Sequence, residues 1–199
     1  MMKAVLASNN KKKLAELLSI TRDFLPGNEL LLLSDVGFYG DIEENGSTFE
    51  ENSQIKAAVP ASLGYIGIAD DSGLCVDALC GAPGIYSARY SGEGDDKNIA
   101  KLLYELRGVP EEQRTARFVC VMTAVFPDGR VIRARGEAEG LIISERRGEN
   151  GFGYDPVFYV PEYGRTFAEI GPELKNKISH RAKALAAFCP LLQKELSLC

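Results

Sequence analysis

Two adjacent acids, Asp70 and Asp71, follow the apolar run YIGIA and precede Ser72 and Gly73 in the stretch ADDSGL. Carboxylates beside a buried strand must offset their desolvation with a cation, or with a reaction that uses them. Paired acids at the carboxyl end of a strand suit Mg2+ coordination, or one metal ligand beside one general base. The plainer alternative is a local Asp turn ahead of Gly73. The stretch SNNKKK sets a hydroxyl (Ser8), an amide (Asn10) and an ammonium (Lys13) where a strand gives way to a helix. Helix N-termini offer unpaired N–H groups and positive dipole character, so the pattern fits phosphate, and equally a capped helix with a basic face. In IEENGSTFEENSQIKA, Glu44 lies in a loop ahead of a helix on which Asn52 and Lys56, four apart, share a face. Alone, that lysine reads as solvated, and it gains interest only where it converges with the other motifs. GFGYDP offers Phe152 and Tyr154 for stacking beside flexible glycines, and SHR places His180 and Arg181 in the first turn of a helix. An arginine there opposes the helix dipole and asks for a compensating partner.

The elements that must carry these residues alternate. KAVLA (3–7) is a short buried strand, and from Asn10 a helical pattern sets Leu14, Leu17, Leu18, Thr21 and Leu25 on one face. ELLLLS (29–34) reads as a strand and DIEENGS (41–47) as a polar loop. Thr48 with Glu51 makes a capping box that opens a helix through about Ser62. YIGIAD is a strand, and LCVDAL (74–79) a second one. A long Gly-rich segment, GAPGIYSARYSGEGDD, precedes a helix from Asp96 to Arg107. TARFVCVMTAVF (115–126) and RVIRARGEAEG (130–140) flank Pro127-Asp128-Gly129, a β-hairpin signal. A short strand follows GFGYDP. Ser179 caps a final helix through Leu196, with Pro190 as a candidate break. Strands alternating with helices, together with a hairpin, predict an α/β or α+β domain with a mixed sheet.

Composition narrows the classes. A chain of 199 residues, 45% hydrophobic and 26% charged, can build a sizeable core as one domain or two small lobes. Its net charge of −5 argues against a broad nucleic-acid-binding face. No apolar run approaches the roughly 20 residues of a membrane span, and MMKAVLASNN lacks a signal-peptide core, so no membrane role is expected. Five cysteines without a CxxC pair point to buried thiols and a reducing cytoplasm. With one histidine, a His-rich zinc site is excluded, and any metal is expected to be hard and oxygen-bound. No GxxxxGK[ST], GxGxxG or GxSxG pattern is present.

SNNKKK, EENGSTFEENSQIKA, ADDSGL, GAPGIYSARYSG, GFGYDP and ISHR occur in this order from Val5 to about Ala184. Together they closely resemble the inosine triphosphate pyrophosphatase family. The resemblance implies one catalytic domain over residues 1–199, with an elongated, two-lobed mixed α/β fold and a central cleft. It implies Mg2+-dependent hydrolysis of ITP, dITP or XTP to the monophosphate and pyrophosphate by a cytoplasmic homodimer. It assigns Ser8, Asn10, Lys13 and Lys56 to the triphosphate, Glu44 and Asp70 to Mg2+, and Asp71 to general base and metal contact. Ser72 would touch substrate. Phe152, Gly153, Tyr154 and Asp155 would form the nucleoside pocket, with Lys175, His180 and Arg181 at the base. Two positions depart from the family pattern: Cys80, where glycine is common, and Glu149-Asn150, where a small pair such as Thr-Gly is usual. A pyrophosphatase for another modified base, or a non-catalytic nucleotide-binding regulator, is the alternative.

Overall fold

The computed structural model describes residues 3–8 and 30–197. Seven strands form one mixed sheet: β1 (Ala4–Leu6), β2 (Leu30–Leu32), β3 (Ile66–Val76), β4 (Thr115–Val125), β5 (Val131–Ile142), β6 (Phe158–Val160) and β7 (Arg165–Thr166), in the order β2-β1-β3-β4-β5-β6-β7. β1 runs parallel to β2 and to β3, with Val5 opposite Leu31 and Gly67. β6 lies antiparallel to both β5 and β7. Among the described residues four α-helices accompany the sheet: α1 (Phe49–Ser62), α2 (Asp95–Glu105), α3 (Pro172–Ile178) and α4 (His180–Ser197). None of the described helices is long and apolar enough to cross a membrane.

Local chemistry explains the boundaries. Thr48 Oγ1 accepts the Glu51 N–H at 3.1 Å and starts α1. The Glu51 carboxylate reaches one residue further back than a capping box requires, accepting from the N–H and hydroxyl of Ser47. At the hairpin, Phe126 N–H bonds the Arg130 carbonyl, and Gly129, at φ +88°, makes the turn that L-residues resist.

Two expectations are corrected. LCVDAL is no separate strand: β3 continues unbroken from Ile66 to Val76, and only Asp77–Leu79 turns away, as a 3-10 helix. Asp70 and Asp71 therefore sit in mid-strand, not at a strand end or in an Asp turn. Nor does Pro190 break α4, which runs through it to Ser197. The helix expected from Asn10, with Asn10 and Lys13, lies outside the described residues.

The chain divides into two compact units, each with its own core. The first holds residues up to Asp71, Cys120–Gly136 and from Ala182 onward. There Leu6, Ile66, Ile68, Met122, Phe126, Leu185 and Phe188 pack together, while Val5, Leu33, Ala57 and Ala61 form a second cluster. The second unit, Ser72–Val119 and Glu137–Arg181, packs Leu74, Leu102, Phe118, Phe158 and Phe167. Each such buried aliphatic or aromatic side chain contributes about 1.5–3 kcal/mol. Phe118, Phe158 and Phe167 meet ring to ring, at centroid separations of 4.6–5.8 Å.

Candidate functional site

In the first unit the acids of ADDSGL meet the lysine of α1. The contact begins with a glycine. A Cβ at Gly67 on β3 would lie 1.9 Å from the Ala57 carbonyl oxygen and 2.7 Å from Pro60 Cγ. Only glycine lets α1 approach β3 this closely. Four residues along the strand, on the same face, Asp71 then meets Lys56. Lys56 Nζ donates to Asp71 Oδ1 at 2.9 Å and to Glu44 Oε1 at 2.7 Å. Asp70 and Asp71 are 3% and 7% exposed, Lys56 is 8% exposed, and Glu44 and Ser8 are half-buried.

The charges of this cluster shape one another. Burial pushes Lys56 down, but Asp71, Asp70 and the Glu44 hydrogen bond more than offset it and hold the ammonium above its ordinary value. Burial pushes the Asp71 carboxyl up; Lys56 opposes the rise, while Glu44 and Asp70 add to it. Lys56 moves up because its three acids outweigh burial, and Asp71 moves up because burial, with two acids added to it, outweighs its one ammonium.

The donor set suits a hard dication in chemistry, since every candidate ligand is a carboxylate oxygen. Asp71 Oδ2 is buried and has no hydrogen-bond partner among the described residues, an arrangement that a cation or an incoming donor would relieve. The described residues do not already gather three such side chains as a metal-holding group; Lys56 stands with two of the acids instead.

In the second unit, the segment 148–156 is folded around Asp155, which is 3% exposed. Its Oδ2 accepts the Phe152 N–H at 2.9 Å and the Lys175 ammonium at 2.5 Å. Gly151, at φ +82°, leaves the room: a Cβ there would lie 2.0 Å from that oxygen. Phe152 is thereby presented 60% exposed, with Lys175 Nζ 5.1 Å from its ring centroid. The Gly153 N–H donates to Asp95 at the start of α2. Tyr154 differs from the sequence expectation. It is 3% exposed, belongs to the core, and its hydroxyl donates to the Ser87 carbonyl at 2.9 Å. Its ring is committed to packing, so Phe152 is the aromatic of this segment that can stack on a ligand. His180, 7% exposed, stacks on Phe118 at 4.9 Å, and Arg181 is 3% exposed in the first turn of α4. Ser72 is half-buried.

Of the departures, Cys80 does adopt the left-handed conformation, at φ 53° and ψ 34°. It is also exposed, against the expectation of buried thiols that Cys120 and Cys189 meet. Asn150 is built into the fold, its side-chain and backbone N–H groups both reaching the Ala168 carbonyl. The sequence reading passed over Gly67, Asp95 and the full part played by Asn52, whose Oδ1 accepts the Gly46 N–H at 2.9 Å. An isolated glycine inside a strand pattern was the available signal for Gly67.

Comparison with known proteins shows the family. The family model described as "Ham1 family" matches residues 4–191. A dITP/XTP pyrophosphatase of Desulforamulus reducens is 50% identical over 97% of this chain and 96% of its own. One of Bacillus subtilis is 46% identical over 97% and 98%. Among solved structures, a HAM1 protein from Coxiella burnetii superposes with a TM-score of 0.90 at 42% identity, over 98% of this chain and 100% of the other. The family model and these relatives both run almost end to end: the chain belongs to the Ham1 family.

Proposed function

We propose that this chain, acting as one catalytic domain over residues 1–199, hydrolyses non-standard purine nucleoside triphosphates (ITP, dITP and XTP) to the monophosphate and pyrophosphate. The observation that carries the reading is the cluster of Glu44, Asp70, Asp71 and Lys56 with its buried, unsatisfied Asp71 oxygen. The relatives named dITP/XTP pyrophosphatase supply the substrate class.

Lys56, held charged by its acids, faces the polyphosphate together with Ser8, Asn10 and Lys13 of the SNNKKK stretch. Asp71, its carboxyl raised by burial, takes the proton of the attacking water. Glu44 and Asp70, with Asp71, would hold Mg2+, which when bound supplies positive charge against the triphosphate. Phe152 stacks on the base; Gly153, Asp155 and Lys175 hold that segment in place, and Tyr154 anchors it to the core. Ser72 contacts substrate. His180 and Arg181 read the base edge. Arginine carries only donors, so it pairs with the 6-oxo group of hypoxanthine or xanthine and opposes the 6-amino group of adenine. Polar pairing of this kind discriminates by roughly 10⁴-fold.

The protein works as a cytoplasmic homodimer on small-molecule nucleotides, with no nucleic-acid partner. The dimer rests on the family resemblance and is checked by light scattering. The functional test is a rate panel with Mg2+ over ITP, dITP, XTP, GTP, ATP and dTTP. Turnover of ITP, dITP or XTP far above ATP is expected. Binding of ITP without turnover would leave a nucleotide-binding regulator instead. Arg181→Ala is expected to lose more on ITP than on ATP; equal losses would remove the base-reading role.

A further inference from the structure

We infer that Asn52 is a positioning residue for Glu44, acting through the backbone of Gly46. Asn52 is fully buried on α1, one turn before Lys56, so the two share a helix face. Its Oδ1 accepts the Gly46 N–H at 2.9 Å, and that donor fixes which way round the amide lies. Gly46 is seated tightly. A Cβ there would lie 2.7 Å from Asn52 Oδ1 and 2.7 Å from Glu51 Cβ. The next residue is tied to the same helix end, with Ser47 N–H 2.6 Å from Glu51 Oε2. Two residues before Gly46, Glu44 reaches Lys56. The segment bearing Glu44 is thus pinned to the helix bearing Lys56, and the pin nearest the acid is one buried amide.

The residue type supports the role. Asn52 Nδ2 is buried with no hydrogen-bond partner among the described residues, a cost that a merely space-filling leucine would avoid. An aspartate would supply the same acceptor, but as a fully buried negative charge. Asparagine provides the acceptor without the charge.

The inference rests on the reading of Glu44 as a cation ligand, and two readouts separate the two. The first is hydrogen exchange of the segment 43–48, which needs no metal. The second is Mn2+ binding to the nucleotide-free protein. Both are measured on the wild type, Asn52→Leu, Asn52→Asp, Gly46→Ala, Glu44→Gln and the Asn52→Leu/Glu44→Gln double variant. Gly46→Ala breaks the same contact from the loop side, and so serves if the buried substitution fails to fold. Faster exchange at 43–48 is expected in Asn52→Leu and Gly46→Ala, and near-wild-type exchange in Asn52→Asp, which keeps the acceptor. Mn2+ affinity is expected to fall about tenfold in Asn52→Leu and Gly46→Ala, the size typical when a ligand's supporting contact is lost. Asn52→Asp, which adds a charge of its own, is read by exchange alone. In the Glu44→Gln background, Asn52→Leu should add no further loss. Unchanged exchange, losses that multiply in the double variant, or a Glu44→Gln protein with wild-type Mn2+ affinity would each overturn the inference. ITP hydrolysis by the wild-type protein, run in parallel, reports on the functional reading independently of all three.

Discussion

Replacing Lys56 with Met removes the ammonium while keeping most of the stem that packs under it. The lysine links two acids at 2.7 and 2.9 Å. With the Lys56 and Asp71 side chains each 10% exposed, the Asp71 pair counts as buried; Glu44, at 27%, is partly screened by solvent. Breaking a buried pair by deleting one partner costs about 3–5 kcal/mol, and the lower end applies because Glu44 keeps some water. For a chain of this size about 3 kcal/mol lowers Tm by roughly 6–12 °C. The loss must depend on pH. Asp71 has a folded value raised above its unfolded one, so its ionised form is the costly one. Its contribution is most favourable below the unfolded value and is lost as pH rises through the folded value. Without Lys56 that rise is larger. The gap between variant and wild type is therefore widest at neutral pH and narrows as acid protonates Asp71. Millimolar Mg2+ should restore more Tm to the variant than to the wild type, because the dication replaces the missing charge. Thermal melts followed by circular dichroism at neutral and acid pH, with and without Mg2+, give all three comparisons. A variant melting within about 2 °C of wild type at neutral pH, about 1 kcal/mol or less at this size, would refute the buried-pair reasoning. So would a gap that stays constant with pH.

Gly67→Ala should destabilise by about 2 kcal/mol or more and lower turnover, since its Cβ would strike the Ala57 carbonyl and push α1 off β3; denaturant unfolding and ITP rates check both. Cys80→Gly should stabilise by about 0.5–1 kcal/mol, because glycine relieves a left-handed conformation that L-residues resist, less its own chain entropy; an unchanged denaturation midpoint would count against the strain. Burial pushes the Cys189 thiol from 9.0 up to about 11. A raised thiol contributes stability that is fully present below the ordinary value and lost as pH climbs through the folded one. The native protein should therefore leave Cys189 unalkylated at mildly alkaline pH, while stability declines between pH 9.0 and about 11 less steeply in Cys189→Ala than in wild type.

Features written in neighbouring residues were legible in the sequence. The Thr48 cap, the Pro127-Asp128-Gly129 hairpin and the boundaries of α2 and β4 each depend on interactions spanning a few positions. Asp70 and Asp71 read as expensive acids, and the apolar run YIGIA before them reads as a strand that ends there, whereas β3 continues to Val76. Their actual relief comes from Lys56 and needs the close approach of α1 that Gly67 permits. Tyr154 shows the same limit. Beside a flexible glycine it reads as a stacking platform, yet its hydroxyl partner is Ser87, 67 residues away. Cys80 was legible in the opposite sense, because a cysteine where glycine is common announces a backbone that prefers glycine.

The central claim is hydrolysis between the α- and β-phosphates. Phosphorus NMR of the products from dITP and Mg2+ tests it most directly. The account requires deoxyinosine monophosphate and pyrophosphate in equal amounts, with both lost in Asp71→Asn. Orthophosphate with the diphosphate would place the cut at the γ-phosphate and contradict it.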